Sequence, residues 1–250
     1  MSKVLVIGDS CLDEYIYCTT HRFCPDAPVP ILKPESFVST LGMAGNVVDN
    51  LKALGIEVEL ISNANKIKKT RYVDERTNHM FVRVDEGEDD VFPIAKKSLE
   101  NIKWKEYSAV IISDYCKGFI DEETIKYISE QHHLTFLDTK KQIDNYAENI
   151  TFIKINDVEY RYSADFLDKK YLDKLIITRG PDGAEYEGKV YPVKKVDVRD
   201  TSGAGDTFLA GLVTKYLENN SVVDAIKFAN KCATQVVQKK GTAKININEI

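Results

Sequence analysis

An α/β fold built on a mainly parallel central sheet, with helices on both faces and a small β-sheet appended, is what the order of apolar segments predicts. Three observations carry it. Strand-sized and helix-sized apolar segments alternate along most of the chain, the pattern of a parallel sheet covered on both sides. Two stretches, 15–38 and 71–85, alternate in the β manner with no adjoining helix. The chain has 250 residues, 43% of them hydrophobic, which is core enough for one large enzyme-sized domain.

The chain opens with VLVIG at residues 4–8, an uninterrupted apolar run that suits a strand buried on both faces. Residues 15–38 follow, broken by Pro25, Pro28, Pro30 and Pro34. With 71–85 they are expected to pair into a separate small sheet, a lid formed from about 14–38 and 71–85. Apolar spacing predicts a helix over 44–54 and a strand over 58–62, and the stretch 62–70 is short and polar. GEDD at 87–90 reads as an exposed turn. Helices over 95–104 and 122–132 alternate with strands over 109–113, 134–137, 151–155 and 175–178. Two long helices close the chain, over 203–218 and 222–239. In the first, Phe208, Leu209, Leu212, Val213, Tyr216 and Leu217 recur at spacings of three and four, one face of an amphipathic helix. No internal repeat, low-complexity tract or Gly/Ser linker appears, so residues 1–250 are expected to form one domain with its lid.

A net charge of -5 and a pI near 5.5 give no broad basic field, which argues against nucleic acid or an anionic membrane as partner. The longest apolar runs are strand-sized, so neither a signal peptide nor a spanning helix is expected. Cys11, Cys18, Cys24, Cys116 and Cys232 form no CxxC pair and have no His at metal spacing. Free thiols in a reducing cytoplasm, without structural zinc, are the expectation.

Chemistry concentrates in DTSGAGDTF at 200–208. The first turn of a helix has unpaired N–H groups and the positive end of the helix dipole, and Gly lets a bulky anion approach the backbone. The N–H groups of Ala204, Gly205 and Asp206 can face an oxyanion, with the Asp206 carboxylate aimed at whatever lies in front. That arrangement suits phosphoryl transfer, in which the protein mostly positions groups and neutralises charge. An ordinary Asp helix start after a Gly-rich turn is the other reading. Two common phosphate sites are absent: there is no GxxxxGK[ST], and VIGDSCLD follows the first strand where a GxGxxG would stand.

DTSGAGDTF resembles the C-terminal signature of the ribokinase-like (pfkB-type) carbohydrate kinases. The order of further motifs agrees: GDSCLDEYIY (8–17), RFCPDAPVPIL (22–32), GMAGNVVDNLKALG (42–55), SDYCKG (113–118) and KKGTAKI (239–245) are similar to those of bacterial D-glycero-β-D-manno-heptose 7-phosphate kinases. The resemblance spans nearly the whole chain. It implies a three-layer α/β/α body with a β lid, and an ATP- and Mg²⁺-dependent kinase acting on the anomeric hydroxyl of D-glycero-D-manno-heptose 7-phosphate. Asp206 would be the general base, and Gly203, Ala204 and Gly205 the anion hole. Asp13, Gly42 and Asn46 would hold the sugar. Asn156 and Glu159, in NDVE, would order Mg²⁺ and its waters near the nucleotide, against the plainer reading of a helix N-cap with an acidic first turn. Thr178, Gly180 and Asn230 would border ATP. Asp200, with backbone carbonyls near Ser202 and Gly241, resembles a site for a monovalent cation such as K⁺. Arg71, Arg83 and Lys117 are the cations offered to the acceptor's own phosphate, and the lids imply a homodimer.

The chain also departs from that pattern. Gly42 and Met43 stand where relatives have a Gly-Gly pair, 62–70 is shorter than a usual helix and strand, and the adenylyltransferase domain fused to many heptose kinases is not expected here. Rival readings are a kinase of another sugar, a non-catalytic sugar or nucleotide sensor, and an NAD-dependent dehydrogenase. Asp206 with NDVE argues against the sensor, and the missing glycine fingerprint against the dehydrogenase.

Overall fold

The computed structural model describes residues 2–64, 66–164, 167 and 169–250. In chain order the first elements are β1 (Lys3–Gly8), β2 (Ser10–Phe23), β3 (Pro30–Met43), α1 (Ala44–Ala53), β4 (Glu57–Ser62), β5 (Ile67–Asp74) and β6 (Met80–Glu86). Then come α2 (Lys96–Glu100), β7 (Ala109–Asp114), α3 (Glu122–Gln131), β8 (Thr135–Thr139), β9 (Phe152–Asn156) and α4 (Asp157–Ser163). The chain closes with β10 (Leu175–Thr178), β11 (Ala184–Tyr186), β12 (Lys189–Tyr191), α5 (Ala204–Asn219) and α6 (Val222–Val236).

The body is an eight-stranded sheet ordered β12-β11-β10-β9-β8-β7-β1-β4. It is parallel from β10 to β4 and antiparallel where β11 pairs with β10 and with β12 at the far edge. Strand alternation sends Val4, Val6, Ala109 and Ile111 to one face, against Val47, Leu51, Phe208, Leu212 and Ile226 of α1, α5 and α6. It sends Leu5, Ile7, Val110 and Ile112 to the other, against Leu99, Ile125 and Ile128 of α2 and α3. Each fully buried Leu or Ile contributes roughly 1.5–3 kcal/mol, so both faces hold the sheet. This is the three-layer α/β/α body expected.

The lid is a four-stranded sheet ordered β3-β2-β5-β6. Its strands are longer than expected, because β2 leaves β1 after the single residue Asp9 and β3 runs straight into α1. Alternation gives the lid two unlike faces. Cys11, Asp13, Tyr15, Ile67 and Arg71 face inward, all but Arg71 buried. The outward rows are Phe37–Ile16–Tyr72–Val82 and Leu41–Leu12–Lys68.

Several expectations need correction. The helix over 95–104 is only α2, because Leu99 is its one buried residue and Ile102 and Trp104 reach the core from the turns that follow. The last helix stops at Val236 rather than 239, where the Val237 carbonyl accepts the incoming N–H groups of Arg199 and Asp200. The β11–β12 hairpin, with strands of three residues each, is too short for periodicity to reveal. Glu88 of GEDD is no free turn residue, since it pairs with Lys69 and Lys117. Among the described residues no helix is long and apolar enough to cross a membrane.

Candidate active site

Helix α5 begins where Gly203 takes φ 74°, a left-handed conformation that a side chain disfavours. A Cβ there would also stand 2.4 Å from Asn46 Nδ2, so the turn into α5 is tight for two independent reasons. Asp206 lies in the first turn, 3% exposed. The Tyr115 hydroxyl donates to its Oδ1 at 2.5 Å and Asn46 Nδ2 donates to its Oδ2 at 2.9 Å. Burial pushes this carboxyl up to about 6, against the opposing pull of the Tyr115 and Asn46 hydrogen bonds. A buried carboxylate that ionises just below neutrality suits proton abstraction. Of the three N–H groups assigned to the oxyanion, that of Ala204 donates to the Thr201 carbonyl at 3.2 Å, which leaves Gly205 and Asp206 at the helix mouth.

A lysine that sequence reasoning passed over completes this corner. Lys154, in the middle of β9, is 5% exposed and donates to Asp138 Oδ2 at 2.8 Å. Its Nζ lies 2.9 Å from where a Cβ on Gly205 would stand. Burial works against its charge, but Asp138 overrides this and holds its pKa above the ordinary lysine value. The signal was available: a lysine inside an otherwise buried strand, FIKIN, needs a partner and a reason.

The motif makes Asn46 a sugar ligand, and the structure gives it other partners. Its Nδ2 reaches Asp206 and, at 3.4 Å, the Gly203 carbonyl, while its Oδ1 accepts from Asn50 Nδ2 at 3.0 Å. It therefore ties α1 to the α5 mouth. Asp13 and Arg71 do meet, at 2.7 Å across β2 and β5, and a Cβ on Gly42 would lie 2.4 Å from Asp13 Oδ2. The Arg71 guanidinium lies over the Tyr15 ring, whose hydroxyl is 3.2 Å from Thr242 Oγ1. Lys117 bonds Glu88 at 2.5 Å, and Lys69, not singled out from sequence, bonds the same carboxylate at 2.7 Å. Arg83 pairs with Asp85 on the exposed rim. Met43, at the departure from Gly-Gly, takes φ 57°, a strained region for a methionine. Its side chain is held there by packing against Cys11 and Ile67 behind the lid.

On the opposite side of the α5 mouth lies a cavity of about 620 Å³, lined by Asn156, Thr178, Gly180, Ala204, Gly205 and Asn230 among others. That volume is typical of a small-molecule or cofactor site. Thr178 Oγ1 donates to the Ile155 carbonyl, and Asn230 Nδ2 to that of Tyr191. Asn156 and Glu159 form a capping box: the Asn156 side chain accepts from Val158 and Glu159 N–H, and Glu159 accepts from Asn156 N–H. The other Glu159 oxygen is 3.3 Å from Lys140 Nζ. Among the described residues no cluster of three or more His, Cys, Asp or Glu exists that could hold a metal by itself. The Asn156 and Glu159 oxygens already have partners, so a Mg²⁺ held chiefly by water and substrate phosphates would meet them through its waters. Asp200 accepts the N–H groups of Ser202 and Gly241 at 2.8 and 3.1 Å.

Comparison with known proteins shows the family and the fold. The model of the pfkB family carbohydrate kinases matches residues 63–249. Bifunctional protein HldE of a Nitratiruptor species is 31% identical, over 99% of this chain and 64% of its own length. That of Helicobacter acinonychis (strain Sheeba) is 31% identical, over 100% of this chain and 66% of its own. The chain thus spans just under two thirds of these relatives. In fold it is similar to a Methanocaldococcus jannaschii nucleoside kinase of the ribokinase family, with TM-score 0.69, 18% identity and coverage of 99% and 94%. It is likewise similar to Arabidopsis thaliana ribokinase complexed with ribose and ATP, with TM-score 0.69, 14% identity and coverage of 98% and 97%. With its family model spanning most of the chain and its fold shared with ribokinases, the chain belongs to the pfkB family of carbohydrate kinases.

Proposed function

We propose that this chain is an ATP- and Mg²⁺-dependent kinase that phosphorylates the anomeric hydroxyl of D-glycero-D-manno-heptose 7-phosphate, giving the 1,7-bisphosphate. The observation that carries the kinase reading is Asp206, buried at the mouth of α5 between the nucleotide-sized cavity and the inward face of the lid. Support for the heptose comes from the motif resemblance and from similarity, along the whole of this chain, to part of the HldE proteins. ATP lies in the cavity with its γ-phosphate at Gly205. The acceptor hydroxyl gives its proton to Asp206 while its oxygen attacks the γ-phosphorus, and the bond from that phosphorus to the β–γ bridging oxygen breaks to leave ADP. Lys154 and the α5 N-terminus offset the charge that shifts onto the phosphoryl oxygens. Glu159 and Asn156 would order the waters of a bound Mg²⁺, which would supply neutralisation of charge on the nucleotide phosphates.

Asp13 and Arg71 hold the sugar. Lys69 and Lys117, which share Glu88, take the acceptor phosphate more readily than the rim residue Arg83 does. A monovalent cation at Asp200 and a homodimer formed through the lids complete the proposal. The test is purified protein with ATP, Mg²⁺ and a panel of sugars and sugar phosphates, with and without K⁺, and product position assigned by NMR. Exclusive turnover of an unphosphorylated hexose or a nucleoside would replace the acceptor. No turnover of any sugar would overturn the kinase reading.

A further inference from the structure

The base has a second neighbour whose role no motif explains. Tyr115 sits in the loop after β7, and that loop is not free to move. Asp9, fully buried at the end of β1, accepts the N–H groups of Tyr115, Lys117 and Phe119 at 2.8, 3.2 and 3.4 Å. The Tyr115 ring packs against the Cys11, Met43 and Ile67 cluster, and Lys140 Nζ stands 4.9 Å over its face. Backbone, ring and hydroxyl are therefore each held, and the hydroxyl is held on Asp206.

We infer that Tyr115 is a positioning residue for the catalytic base. Its hydroxyl pins Asp206 Oδ1, as Asn46 pins Oδ2, so that the carboxylate keeps one orientation and leaves one lone pair on each oxygen for the acceptor proton. This rests on the reading of Asp206 as the base. Two fixed donors on one carboxylate favour its ionised form and pre-set the angle at which a proton is received. The groups facing this pair are Cys11 of β2, Asn46 of α1, Asp138 of β8 and Lys154 of β9, with Lys140 over the Tyr115 ring. Asp138 opposes ionisation of Asp206 and Lys154 favours it. Tyr115 itself stays protonated, since burial first and then the Asp206 charge drive its pKa well above the ordinary phenol value. It is a donor at every working pH.

The test is Tyr115→Phe in the full chain, which keeps the ring and its packing and removes only the donor. Loss of one charge-assisted hydrogen bond should move the acidic limb of the kcat–pH profile to higher pH by about one unit. At pH values below the limb, kcat falls about tenfold in consequence. The ATP dissociation constant, read by equilibrium titration, stays at the parent value. A cooperative melt within a few degrees of the parent's in Tyr115→Phe, the drop expected from the lost bond and the raised Asp206 carboxyl, separates the effect from loss of fold. An unmoved limb with parent kcat overturns the inference, as does a limb that moves only together with a loss of ATP affinity. If Asp206→Asn itself keeps parent turnover, the base assignment fails instead. An inactive Asp206→Asn beside an unshifted Tyr115→Phe defeats this inference alone.

Discussion

Asp206 shows how one residue sets activity and stability against each other. General-base assistance is typically a factor of about 10²–10⁴, so Asp206→Asn should lower kcat by that much while ATP still binds. The parent enzyme should lose activity as pH falls through about 6, where burial has moved this carboxyl. A carboxyl raised in the folded state binds its proton more tightly folded than unfolded, so its ionisation costs stability. That cost is absent below 3.8 and complete above about 6, amounting to roughly 3 kcal/mol at about 1.4 kcal/mol per pH unit. Asp206→Asn should therefore melt several degrees higher than the parent at pH 7.5, and the gap should narrow toward pH 5. Scanning fluorimetry across that range checks it, and a variant that melts lower at pH 7.5 contradicts the assigned cost.

At the scale of elements, the α5 mouth and the inward face of the lid each make a separate claim. Gly203→Ala forces a Cβ into a left-handed position and onto Asn46 Nδ2. It should destabilise by about 1–3 kcal/mol and lower kcat by displacing Asn46 from Asp206. Chemical denaturation and steady-state rates report the two effects together, and an unchanged kcat in the folded variant would show that Asn46 does not hold the base. In the lid, Lys69 is nearly buried against Glu88. Lys69→Ala should raise KM for a phosphorylated acceptor at least about tenfold, the effect of one charge-assisted hydrogen bond. KM for the unphosphorylated sugar should stay as it was; an equal effect on both acceptors would place the phosphate elsewhere.

At the scale of the whole molecule, the lid's outward face asks for a partner. Phe37, Leu41, Val82 and Val84 are 57%, 40%, 47% and 42% exposed, beside the half-buried Ile16 and Tyr72. A small isolated sheet with such a face is marginal in water. Two lids packed outward face to outward face would bury these rows. A specific contact of this kind covers at least ~1,000 Å². Light scattering should give a mass near twice 28.3 kDa at micromolar concentration, and Phe37→Glu or Val82→Glu should halve it. A parent that scatters as a monomer with and without ligands refutes the dimer.

The order of the parallel strands and the longer helices, though not the β11–β12 hairpin, was legible in the chain itself, as were the separate lid sheet and Asp206 at a glycine-led helix start. Each is written locally, as alternation, as helical spacing, or as small residues before an acid. Which side chains then meet was decided by the tertiary structure, because those contacts join residues far apart in sequence. Asn46 reads as a polyol ligand by type, yet it bonds a residue 160 positions on. Tyr115 lay in a quoted motif without a role until the fold set its hydroxyl on Asp206, 91 positions away. Lys154 gained its place beside Gly205 only when β9 was laid under the mouth of α5. Periodicity records which face of an element is buried; it carries no record of what that face is buried against.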